Sequence, residues 1–234
     1  MNYTDTLSSM QLDLNKIIGR DTINDENKNK WLFDYILALH VEAVELLDCT
    51  SWKWWSKEGK ENQYHKLVDE KNAKVEAIDC LHFLMSICHI TNLIKEKDNE
   101  DIFYKSMMGA TEASNDDSQE QKERLLSTFI NYIIIGTGAL LSRINLKYVS
   151  NGHLSYVNDF NDNYIQYELN EQDYNAIISL INSLVSIFTI LGMDIDDVYR
   201  VYKLKHEKNI LRQENGYSTL TKTEEDNNQI KEQL

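Results

Sequence analysis

HVEAVELLDCTSWKWW, residues 40–55, and KVEAIDCLHFLMS, residues 74–86, are the two stretches on which the reading of the chain turns. Each sets two acids three residues apart inside an otherwise apolar run. The acids are Glu42 and Glu45 in the first and Glu76 and Asp79 in the second. On a helix this spacing projects both carboxylates from one face, about one turn apart. Val41, Ala43 and Val44 flank the first pair, and Val75, Ala77 and Ile78 the second. Carboxylates placed among such neighbours are costly unless compensated. Two of them about 4 Å apart repel by roughly 4 kcal/mol at an effective dielectric of about 20. If the two helices pack antiparallel, four acids meet, and that arrangement calls for a cation. All-oxygen donors select Mg²⁺, Mn²⁺ or Ca²⁺ over zinc. The plain alternative is that each pair belongs to a solvated helix stripe. Cys80, His82, Cys88 and His89 lack the spacing of a zinc motif and read as core residues.

Outward from these strings the chain is helical throughout. Its 234 residues contain no proline and 8 glycines, which disfavours a turn-rich sheet protein and suits long helices. Apolar residues at helical spacing mark 3–19, 31–50, 67–95, 125–146, 171–190 and 194–212. Polar connections lie at 20–30 and 56–66. Residues 96–124 are polar, with one amphipathic stretch at 102–108, and 147–170 mix aromatics with Asn and Asp. The fold class is all-α, a helical bundle forming one domain over 1–217. A metal-binding core is expected in it, and residues 96–170 suit a more mobile helical subdomain. Residues 218–234 read as a polar, flexible tail.

A net charge of −14 repels a phosphate backbone and argues against general nucleic-acid binding. Three cysteines in a chain of this size suggest buried, reduced thiols and a cytoplasmic setting. The N-terminus lacks the basic start and apolar stretch of a signal peptide. The apolar segments Leu125–Leu141 and Ile177–Met193 are interrupted by Asn, Ser and Gly. They read as central bundle helices rather than membrane spans.

The order E-x-x-E then E-x-x-D resembles the metal signature of the all-α nucleoside triphosphate pyrophosphatases, and three further strings resemble the dimeric dUTPases among them. Gln11-Leu12-Asp13-Leu14-Asn15 fits Q-x-x-L-N, and Trp52-Lys53-Trp54-Trp55 fits W-K-x-W. Tyr202, Lys205, Asn209, Arg212, Gln213, Gly216 and Tyr217 fit Y-x-x-K-x-x-x-N-x-x-R-Q-x-x-G-Y at every fixed position. The strings stand in family order over residues 11–217. The resemblance implies hydrolysis of dUTP, and of dUDP, to dUMP, with pyrophosphate released from dUTP. It implies Mg²⁺, with Mn²⁺ as a substitute, held by Glu42, Glu45, Glu76 and Asp79, and Glu45 as the acid that deprotonates the attacking water. Substrate contacts would come from Gln11, Asn15, Trp52, Lys53, Lys205, Asn209, Arg212 and Tyr217.

Residue chemistry agrees with these roles. The amides offer both donors and acceptors to the uracil edge. Lys205, Asn209 and Arg212 fall at i, i+4 and i+7, along one helix face suited to a polyphosphate. Gly216 would end that helix. A homodimer is expected, with the two most apolar helices as an interface. The alternatives are a broader, MazG-like house-cleaning pyrophosphatase and a non-catalytic helical interaction or regulatory protein.

Overall fold

The computed structural model describes residues 2–26, 28–61, 65–94, 118–150, 169–216 and 225–234. These residues are helical, with one isolated antiparallel bridge between Thr50 and Leu67. The helices are α1 (Tyr3–Ile17), α2 (Leu32–Asp48), α3 (Lys57–Glu61), α4 (Glu70–Ile90), α5 (Gln119–Ser150), α6 (Glu171–Ile190), α7 (Ile195–Glu214) and α8 (Glu225–Lys231). A 3₁₀ turn, Lys28–Trp31, leads into α2. The expected helices are present with shifted ends. α5 begins earlier than its apolar run suggests, and the short α3 stands in a segment read as a plain connection.

Local signals account for where several helices start. The side chains of Asn2, Asp69, Asn170 and Asp194 each accept a hydrogen bond from the backbone N–H three residues on. This satisfies donors that the first helical turn leaves over. At α6 the cap is reciprocal, because Asp173 Oδ2 also accepts from the Asn170 N–H at 3.0 Å. α7 ends as expected at Gly216, whose φ of +72° a residue with a side chain rarely adopts.

α2, α4, α5 and α6 form the core bundle, with α1 and α7 packed together on α4. Fifteen of the 21 residues of α4 are buried, so α4 is the central helix. The turn between α2 and α4 reverses the chain. The Ser51 N–H donates to the Lys66 carbonyl at 2.8 Å, and the Val68 N–H to the Cys49 carbonyl at 2.9 Å. A Cβ added at Gly59 would sit 2.1 Å from the Lys53 carbonyl oxygen, so glycine is needed for α3 to close on the tryptophan-bearing loop. α5 and α6 contain stretches long and apolar enough to cross a membrane; they pack against each other, α5 also against α2 and α6 against α4. The stretch at 102–108 and most of 147–170 lie outside the described residues. α8 packs against α4 and α7, in a segment whose polarity suggested a flexible tail.

Candidate active site

The hairpin of α2 and α4 brings carboxylates together. Oxygens of Glu42, Glu45 and Glu76 lie within 4.8 Å of one another. Glu76 is buried, while Glu42 and Glu45 are partly exposed. Three oxygen donors this close, one of them shielded from water, fit a hard divalent cation. Asp79 is turned elsewhere, with Oδ2 2.6 Å from Nζ of Lys205 on α7. Both side chains of that pair are largely buried. The four-carboxylate box expected from the spacing is therefore a trio, with the fourth acid held by a lysine.

A cavity of about 210 Å³ opens beside the acids. Glu42, Glu76 and Asp79 line it together with Gln11, Asn15, Lys205, Asn209 and Arg212. Eight expected residues from four helices thus share one cavity. Glu45 belongs to the acid trio without lining that cavity. Trp52 and Lys53 are not part of the lining. Both are held on Asp48, one turn beyond Glu45, with the indole N–H 2.7 Å and the lysine Nζ 2.9 Å from Oδ1. Tyr217 lies outside the described residues.

The cavity also uses residues that sequence reading missed, among them Tyr35, His82, Phe83 and Asn227. His82 and Phe83 follow Asp79 by one turn of α4, and helical spacing from the acid pair is the signal that could have found them. Asn227 carries no such signal.

Gln11 and Asn15 sit in a buried polar network. Gln11 Oε1 accepts from the Tyr202 hydroxyl at 2.6 Å and lies 2.6 Å from His82 Nδ1. Its Nε2 donates to Asn15 Oδ1 at 2.9 Å and to Ser86 Oγ at 3.1 Å. Asn15 Oδ1 also accepts from the Tyr35 hydroxyl, and Asn15 Nδ2 donates to Thr22 Oγ1. Burial holds the His82 imidazole well below its usual range, helped by the charges of Lys205 and His206. A neutral ring facing a carbonyl oxygen carries its proton on Nδ1. That leaves Nε2 as an acceptor, and it has no hydrogen-bond partner among the described residues. The ring stacks on Tyr202 with centroids 4.0 Å apart. Burial raises the Tyr202 hydroxyl well above its ordinary value, so it stays a donor.

α4 orders these groups along one axis. From Glu76 to Ser86 the rise is about 15 Å at 1.5 Å per residue. Acids stand at one end and amides, hydroxyls and an imidazole at the other. Across from them the basic face of α7 supplies Lys205 and Arg212. An all-α bundle that joins an acid trio, a facing cationic helix and a neutral polar pocket has the layout of a metal-dependent nucleotide hydrolase. The chain belongs to the dUTPase family, whose family model matches residues 4–217. That family hydrolyses dUTP with a divalent metal, and the match supports dUTP diphosphatase activity here. No curated protein matches the sequence.

Proposed function

We propose that this enzyme converts dUTP to dUMP and pyrophosphate, and accepts dUDP, using Mg²⁺ held by Glu42, Glu45, Glu76 and Asp79, with Mn²⁺ able to replace it. The observation that carries the reading is that one cavity unites the acids, the cationic face of α7 and the amide pair. Bound ions would neutralise the triphosphate and the charge that develops in the transition state.

The remaining work falls to the chain. Glu45, partly exposed and outside the cavity lining, takes a proton from the attacking water. Lys205 and Arg212 grip phosphate oxygens, Arg212 with two parallel N–H donors, while Asn209 adds an amide donor. Lys53 swings from Asp48 to the outer phosphate, and Trp52 shields the sugar. Tyr217 completes the set of substrate-binding residues we assign. At the far end Gln11 and Asn15 present the uracil-binding amides, and His82 Nε2 is an unspent acceptor suited to an imide N–H. A pocket built on such groups penalises a base whose donors and acceptors do not match. A net charge of −14 supports a cytoplasmic enzyme that binds neither nucleic acid nor membrane.

A panel of dUTP, dCTP, dTTP and dATP, with and without Mg²⁺, tests the substrate. Release of pyrophosphate mainly from dUTP is expected, and a preference for another base would reject the proposal in favour of a broader pyrophosphatase. Glu76→Gln tests the metal site. Its activity should fall by about a hundredfold or more while the fold is kept, in line with losses on disturbing metal sites; undiminished turnover would reject the assignment.

A further inference from the structure

α8 lies beyond the family-matched residues 4–217, yet it docks on the groups that a nucleotide would use. Asn227 Oδ1 accepts from Lys205 Nζ at 3.1 Å, and Asn227 Nδ2 faces Glu76 Oε1 at 3.5 Å. The amide thus bridges the carboxylate and the ammonium. Its N–H stands on Glu76 where a cation would sit, and its carbonyl stands on Lys205 where a phosphate oxygen would sit. A bound metal–phosphate pair would satisfy both partners in its place. With α8 docked, the cavity of about 210 Å³ is also smaller than the roughly 300–1,000 Å³ of usual small-molecule sites.

The docking is reversible in character. One apolar side chain, Ile230, is buried beneath α8. Leu234, just beyond it, is partly buried against the core, and the other anchors described are polar and peripheral. Lys71 Nζ donates to the Lys231 carbonyl at 2.9 Å, Lys208 Nζ to Gln229 Oε1 at 3.1 Å, and Arg200 Nη1 to the Gln233 carbonyl at 2.9 Å. A short helix held this way opens locally without global unfolding.

We propose that α8 is a built-in competitor that occupies the metal and phosphate end of the site through Asn227 and must leave before metal–nucleotide binds. The substrate part of this proposal rests on the dUTP reading above. A competent state populated in about one molecule in ten raises the apparent dissociation constant about tenfold. In the intact chain, Asn227→Ala and Ile230→Ser should therefore each lower KM for dUTP by about tenfold, and Ile230→Ser, which lies outside the cavity, should do so at unchanged kcat. They should tighten binding of Mn²⁺ alone, with the wild-type circular dichroism spectrum retained. In the wild-type chain, Mg²⁺ with a non-hydrolysable α,β-imido dUTP should speed amide hydrogen exchange in residues 225–234. An unchanged or raised KM, or slower exchange in α8 on ligand binding, would overturn the proposal. If the wild-type chain turns over no nucleotide, the substrate reading fails while the Mn²⁺ titration still decides. Equal Mn²⁺ affinity in wild type and both variants would then reject the competitor.

Discussion

Lys205 and Asp79 form the most consequential pair of side chains in the site. Their contact is short and largely buried, and removing one partner strands the other. The pair also stores each member in a form that the substrate complex would break, with Asp79 going to metal and Lys205 to phosphate. Lys205→Met should therefore separate two affinities. Metal alone should bind more tightly, because Asp79 is released, while KM for dUTP should rise by about tenfold, the equivalent of about 1.4 kcal/mol. Titration calorimetry with Mn²⁺ and steady-state kinetics check the two halves. His89 carries a different lesson. Its ring nitrogens approach Ser8 Oγ at 2.7 Å and Thr22 Oγ1 at 3.3 Å, and the residue is buried. Burial, with a smaller push from Lys28 against a pull from Asp21, lowers it from 6.5 to about 4. The folded state thus favours the neutral ring, and its stability is complete above the unfolded value. As pH falls from about 6.5 to 4, the unfolded chain takes the proton first, and roughly 3 kcal/mol is lost. A melting series over that range should show the decline, and His89→Gln should make it shallower, with the buried His82 still contributing.

At the scale of elements, α6 shows how a helix start is tied to the bundle. Asn170 and Asp173 cap it reciprocally, and Asp173 Oδ1 also takes Arg143 Nε of α5 at 2.7 Å. Asp173 is fully buried while Arg143 is partly exposed, so the acid is the member that cannot rehydrate in place. Asn170→Ala should cost about 1 kcal/mol, the usual worth of a cap. Asp173→Ala removes the cap's partner and the bridge to α5 together, and should cost more, about 2 kcal/mol, with the partly exposed Arg143 left to rehydrate. Denaturant midpoints at constant slope would measure both. If the two variants proved equally mild, the helix start would owe little to the bridge to α5. Gly136 serves the same pair of helices, since a Cβ there would meet Leu180 Cδ2 at 2.9 Å.

For the whole molecule, the unfinished surface lies on the outer side of the bundle. Tyr132 and Ile135 of α5 and Ile178 of α6 are exposed at 56%, 67% and 42%. Between these helices runs a groove of about 510 Å³ lined by Phe129, Tyr132, Ile135, Ala176 and Leu180 among others. Contiguous apolar surface of this kind commonly marks an interface. The expected homodimer would cover it with a second copy about a two-fold axis. Light scattering should give the mass of two chains for the wild type and of one for Ile135→Asp. A wild-type monomer would remove the dimer from the description.

Much of this was legible in order along the chain. The acid pairs, the amide pair on α1 and the stripe on α7 are local patterns. Spacing of three or four residues determines which side chains share a helix face, whatever the rest of the fold does. The same local logic placed the helices and the glycine stop at Gly216. Tertiary packing alone decided that Asp79 meets Lys205, that Tyr202 and His82 fix Gln11, and that Asn227 enters the site. Those contacts join residues far apart in sequence, and they depend on how α1, α7 and α8 settle on α4. Periodicity tells which face of a helix is buried but not which distant face it meets.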